Sequence, residues 1–196
     1  SRGRSETRHD CVLFAPELMS DALRCRSCGT TNGTLVIDLG TQPLANNLLR
    51  ADDIGKPEPK FPLAVFVCPS CWLLQLTETV PPVRLFSEYL YFSSFSDAMV
   101  RHAREAAERY IAEFHLGPSS QVIEIASNDG YLLQNFQRAR IPCLGIEPAA
   151  NIARVAREKG IETRVEFFNR SLGEALAAEG RQADLILGNN VFAHVP

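Results

Sequence analysis

Two residue patterns in this chain could do chemistry. Cys25-Arg26-Ser27-Cys28 and Cys68-Pro69-Ser70-Cys71 each put two thiols on one tight turn. Two such turns can close a tetrahedral all-cysteine zinc site. Gly29 supports that geometry, because a glycine after the second cysteine lets the turn take a positive φ. The second pair lies between the apolar runs LAVFV and WLLQL, as a zinc-ribbon hairpin would place it. The interval between the pairs is long, at 39 residues, so the insert must fold as strands and loops of its own. Buried free thiols or a redox pair are the other readings. A redox Cys-x-x-Cys, however, opens a helix after a strand, and neither pair does. Four cysteine ligands leave no position for water or substrate, which makes the expected zinc structural.

The second pattern is VIEIASNDGYLL, residues 122–133, an apolar strand running through a loop into a helix. Such crossovers hold nucleotides in open α/β sheets, but a pyrophosphate needs Gly-x-Gly-x-x-Gly. Here the loop is Ala126-Ser127-Asn128-Asp129-Gly130, with one glycine beside an acid. Asp129 would repel a phosphate. A cofactor with a ribose and a cationic amino group fits better, and S-adenosylmethionine is that cofactor. Glu147 follows Glu124 by 23 residues, in the segment Gly145-Ile146-Glu147-Pro148. An acid there can accept both ribose hydroxyls. Ala126 and Ser127 are small enough to leave room for the methionyl part. The plain alternative is an ordinary crossover with an acidic pair.

These motifs need elements to hold them. Residues 1–20 read as a polar tail, 21–80 as a β-rich zinc-binding domain, and 81–118 as an aromatic linker and helix. Residues 119–196 read as the first four strands of a Rossmann-like core. In the helix, Val100, Ala103, Ala107, Tyr110, Ile111 and Phe114 recur at three- and four-residue spacing. Ser96 is its expected N-cap, and Gly117–Pro118 its stop. The segments QVIEIA, YLLQNFQRA, IPCLGIE, NIARVAREKG, IETRVEF, SLGEALAAEG and ADLILGNN then alternate strand and helix. That order predicts a parallel sheet with crossover helices, hence an α/β class.

The 196 residues carry a net charge of −3, and no basic cluster surrounds the cysteine turns, which disfavours a nucleic-acid partner. No apolar run reaches the 18 or so residues of a membrane span, and no secretory h-region opens the chain. The expected location is the cytoplasm.

CRSCG, LGTQPLANNLL, FPLAVFVCPSC, LLQLTETVPPVRLF and the Tyr89-x-Tyr91 stretch resemble the N-terminal zinc-binding part of the sugar C-methyltransferases. EIASNDGYLL, GIEPAANIA, EFFN and NNVFAHVP resemble the class I methyltransferase core of the same family, so the likeness runs in order over residues 22–196. It implies methylation of a ring carbon beside the ketone of a nucleotide-linked keto-deoxysugar in deoxysugar biosynthesis. It also implies a cofactor set of Glu124, Ala126, Ser127, Asn128, Asp129, Gly130, Glu147, Pro148, Asn189 and Asn190. His194, in the family's AHVP motif, becomes a candidate to contact the sugar or move a proton, or else a cap on the strand end. Tyr89 and Tyr91 become candidates to line the sugar pocket, or else packing aromatics. Family members are about twice this length. The resemblance therefore implies further strands and a second α/β domain, with little turnover by these 196 residues alone. A zinc-stabilised, non-catalytic module that keeps cofactor or nucleotide-sugar binding is the alternative.

Overall fold

The fold is a computed structural model in which residues 23–192 are described. It divides into two compact units. Of the described residues, one comprises 23–43 together with 57–79, and the other comprises 44–56 together with 80–192. Residues 44–56, which the sequence reading assigned to the zinc-binding domain, thus group with the second unit.

In the first unit, β1 (Thr34–Pro43), β2 (Lys60–Val67) and β3 (Leu74–Leu76) form an antiparallel sheet in that order. Strand β2 alternates as a half-buried strand should, turning Ala64 and Phe66 inward toward the same side as Cys68. Gly33 lies under the Phe66 ring, where an added Cβ would come within 2.0 Å of it. The hairpin between β2 and β3 carries the second cysteine pair. Strand β1 slips register twice, between Leu35 and Ile37 and between Asp38 and Thr41.

Beyond residues 44–56, the second unit continues with α1 (Pro82–Phe86) and α2 (Asp97–Glu113). The Ser96 side chain accepts from the Met99 amide, so it is the N-cap. The helix ends earlier than the Gly-Pro signal suggests. His115 takes a left-handed φ of 52°, and the Leu116 amide reaches back to the Ile111 carbonyl at 3.0 Å. This is a Schellman stop with histidine in glycine's usual place.

The remaining elements alternate: β4 (Val122–Ile125), α3 (Leu133–Arg138), β5 (Cys143–Ile146), α4 (Ala150–Glu158), β6 (Thr163–Arg164), α5 (Arg170–Ala178) and β7 (Leu185–Leu187). All four strands are parallel, in the order β6-β5-β4-β7. Strand β6 is shorter than IETRVEF suggests. It is an edge strand whose ladder ends at Arg164, with Val165 already half exposed. One core cluster sits on the α2/α3 side, around Phe136, Leu133, Val122 and Ala107. A second, on the α5 side, gathers Ile123, Leu144, Ile146, Leu172 and Leu176. Because β5 and β7 leave β4 on opposite sides, the chain reverses direction there. The carboxyl ends of β4, β5 and β7 therefore frame the crevice where open α/β sheets take ligands.

Candidate metal centre and cofactor cavity

The two cysteine turns have the same backbone. The Gly29 amide bonds the Cys25 carbonyl at 2.9 Å, and the Trp72 amide bonds the Cys68 carbonyl at 3.0 Å. Gly29 and Trp72 both stand one residue past the second cysteine and both are left-handed, at φ 74° and 63°. The turns bring Cys25 Sγ to 3.5 Å from Cys71 Sγ, and Cys28 Sγ to 3.5 Å from Cys68 Sγ. All four sulfurs lie within 4.8 Å of one another. A tetrahedron with Zn–S bonds of about 2.3 Å has edges of roughly 3.8 Å, so the set fits zinc.

The electrostatics point the same way. The Cys28 amide, directed at Cys25, helps lower that thiol to about 6. Thr30, beside Cys28, lowers that thiol as well. Cys71 is pushed up to about 11: the Leu73 amide lowers it, but the sulfur of Cys25 and the other thiols outweigh that contribution. Four thiols this close cannot all ionise unaided. A divalent cation removes the conflict.

The cavity of the second unit encloses about 410 Å³, within the range of small-molecule sites. Its floor is the carboxyl edge of the sheet: Ala126 and Asn128 after β4, Glu147 and Pro148 after β5, Asn189 and Asn190 after β7. One wall is α2, through Met99, His102, Ala106 and Tyr110, and another carries Tyr89, Tyr91 and Ser93. The loop after β4 is strained, since Ala126 and Asn128 are left-handed at φ 53° and 51° without being glycine. Each such residue costs on the order of 1 kcal/mol and tends to persist where function needs it. Gly130, at φ 76°, closes the loop, and an added Cβ would come within 2.3 Å of Ile161. Gly145 is held similarly, since a Cβ there would meet Ser127 Oγ at 2.3 Å.

The carboxylates divide by task. Glu147 accepts from the Asn128 amide on Oε2 and from the Ala149 amide on Oε1, both at 2.9 Å. Burial nonetheless raises its pKa. Glu124 is 1% exposed, takes a single bond from the Asn189 side chain at 3.3 Å, and keeps Oε2 without a partner. Burial raises it well above the ordinary carboxylate range. Asp129 is fully buried, with Oδ2 bonded by Ser94 and by Lys159. Lys159 also bonds the Asp129 carbonyl at 2.8 Å.

Residues 25–86 match the family described as "Putative zinc binding domain". That stretch contains all four of the clustered cysteines. The chain is also 36% identical over 182 residues to "C-methyltransferase NovU" of Streptomyces niveus, a match covering 91% of this chain and 43% of the relative. The chain thus spans less than half the length of that curated relative. The relative bears the name of a C-methyltransferase, the class that the motifs resemble. A solved structure, "Crystal structure of MccD protein", shares 16% identity with a TM-score of 0.26, over 41% of this chain and 30% of its own. That similarity is too slight to carry an argument.

The zinc-binding domain brings together all four expected ligands. In the second unit, six of the ten expected cofactor residues line the cavity: Ala126, Asn128, Glu147, Pro148, Asn189 and Asn190. Glu124, Ser127, Asp129 and Gly130 lie behind that surface, supporting it. Tyr89 and Tyr91 face the cavity, while His194 lies outside the described residues. Sequence reasoning passed over Tyr131 and His102, which also line it, and Asn151, which does not but holds its wall. Tyr131 was read only as the start of a helix. The periodicity of α2 already accounted for His102, and nothing in the sequence marked Asn151.

Proposed function

We propose that the chain forms the cofactor seat and one substrate wall of an S-adenosylmethionine-dependent C-methyltransferase acting on a nucleotide-linked keto-deoxysugar. The observation that carries this reading is the cavity at the reversal point of the sheet, with Glu147 at its floor and Tyr89 and Tyr91 on its wall. The donor set fits the cofactor. A carboxylate has about four lone-pair sites, so Glu147 can accept ribose hydroxyls beside its two amide bonds. Ala126 offers only a methyl group beside a bound ligand, and Asn189 and Asn190 add amide donors and acceptors. When bound, the cofactor supplies an electrophilic methyl group. The protein's part is to exclude water, orient the sugar and move a proton.

Methylation at carbon requires loss of the proton beside the ketone to a positioned base. His194, a few residues beyond β7, is our candidate for that role. Tyr89 and Tyr91 offer hydroxyls that can hydrogen-bond the enolate oxygen or the sugar. Among the described residues no helix is long and apolar enough to cross a membrane.

The test is deuterium exchange at the carbon beside the sugar ketone, measured on the full-length protein without methyl donor. The His194→Asn variant is expected to bind cofactor normally yet exchange about 10²–10⁴-fold more slowly. Exchange as fast as wild type would remove His194 from the mechanism.

A further inference from the structure

Residues 89–94 carry the tyrosine wall, and side-chain amides and a carboxylate stitch this irregular segment to the sheet edge. Asn151, near the start of α4, pairs with both backbone groups of Tyr89. It accepts from the amide at 3.2 Å and donates to the carbonyl at 2.6 Å. Asn128 does the same one step on, donating to the Tyr91 carbonyl at 3.0 Å and accepting from the Ser93 amide at 2.8 Å. Asp129 then takes the Ser94 hydroxyl. Both amide clamps lead to Glu147. Its Oε2 is bonded by the backbone of Asn128, and its Oε1 by Ala149, two residues before Asn151.

We propose that Asn128 and Asn151 are positioning residues that couple occupancy of the Glu147 seat to the order of the tyrosine wall. The inference rests on the cofactor reading above and adds a consequence for the substrate side. A ligand whose hydroxyls are held by Glu147 fixes that carboxylate. The fixed carboxylate holds Asn128 in its left-handed conformation and α4 at its N-terminus, and the two side chains then hold residues 89–93. By linkage, a substrate that orders the wall tightens the seat by the same factor.

Hydrogen–deuterium exchange of the peptide spanning 89–95, with S-adenosylhomocysteine as probe, tests this alongside calorimetry of the same ligand. In wild type, binding should slow exchange in this peptide by about threefold to tenfold, the worth of a few tightened hydrogen bonds. Asn128→Gly keeps the left-handed backbone and removes the clamp. Compared with wild type at probe concentrations that saturate each protein, as calorimetry sets them, it should lose most of that slowing, and Asn151→Ala, outside the cavity lining, should weaken the slowing at Tyr89 in the same way. Asn151→Ala should speed exchange at Tyr89 with and without ligand. Binding with no slowing in wild type, or equal slowing in wild type and Asn128→Gly, would overturn the coupling alone. No binding heat in wild type would overturn the cofactor reading and the coupling with it.

Discussion

Glu124 and Glu147 stand at the ends of neighbouring strands, both are buried, and their surroundings separate them. Glu147 is fixed by two amides, whereas Glu124 has one weak partner and an oxygen with none. Burial raises both above the ordinary 4.5. The folded state therefore holds protons that the unfolded state has already lost. The stability this contributes is complete below about 4.5 and disappears as pH rises through the raised values. Glu124→Gln removes the dependence at that position. Thermal unfolding across a pH series should show the variant gaining on wild type as pH rises above about 5. A difference that shrinks over that range would contradict the assignment. The four clustered cysteines were legible in the sequence because metal chemistry restricts which residue types can serve, and Glu147 was singled out as an acid after the second strand, where it lines the cavity. The clamps were not. An asparagine that pairs with a distant backbone leaves no periodicity, and Asn151 joins segments 62 positions apart.

Among the elements, the strands of the α/β unit were legible from short apolar runs bounded by turns. Their ends depended on pairing partners that the sequence does not show, and β6 is the clearest case. The stop of α2 was misplaced for a related reason. Gly117 and Pro118 look like the terminator, but tertiary packing of Leu116 into the core sets the turn two residues before Gly117, at His115. A histidine held left-handed costs on the order of 1 kcal/mol that glycine would not. His115→Gly should therefore raise stability by about that amount, read from denaturant unfolding. Loss of stability would mean that the histidine side chain makes a compensating contribution.

At the scale of the whole molecule, the zinc-binding domain and the α/β unit are separate compact bodies, and each is held differently. The second has two apolar clusters around its sheet. The first has a three-stranded sheet with much of β1 exposed, so the metal centre must supply much of its cohesion. Replacing any of Cys25, Cys28, Cys68 or Cys71 by Ser should release zinc and unfold that unit. Elemental analysis with circular dichroism reads both effects, and purified wild-type protein without zinc would end the metal reading. Residues 44–56 mark the limit of sequence reading at this scale. They lie between the cysteine pairs, yet they fold with the second unit, where Asn46 donates to the Tyr89 hydroxyl at 3.1 Å.

The central claim is that the cavity at the carboxyl ends of β4, β5 and β7 takes S-adenosylmethionine through Glu147, and titration calorimetry tests it directly. Wild type should bind the sulfonium cofactor more tightly than NAD. Glu147→Ala should bind it about tenfold to a hundredfold more weakly, since hydrogen bonds to a charged acceptor are worth about 1.5–3 kcal/mol. Equal affinity in wild type and variant would remove Glu147 from the site, and tighter binding of NAD would contradict the cofactor class itself.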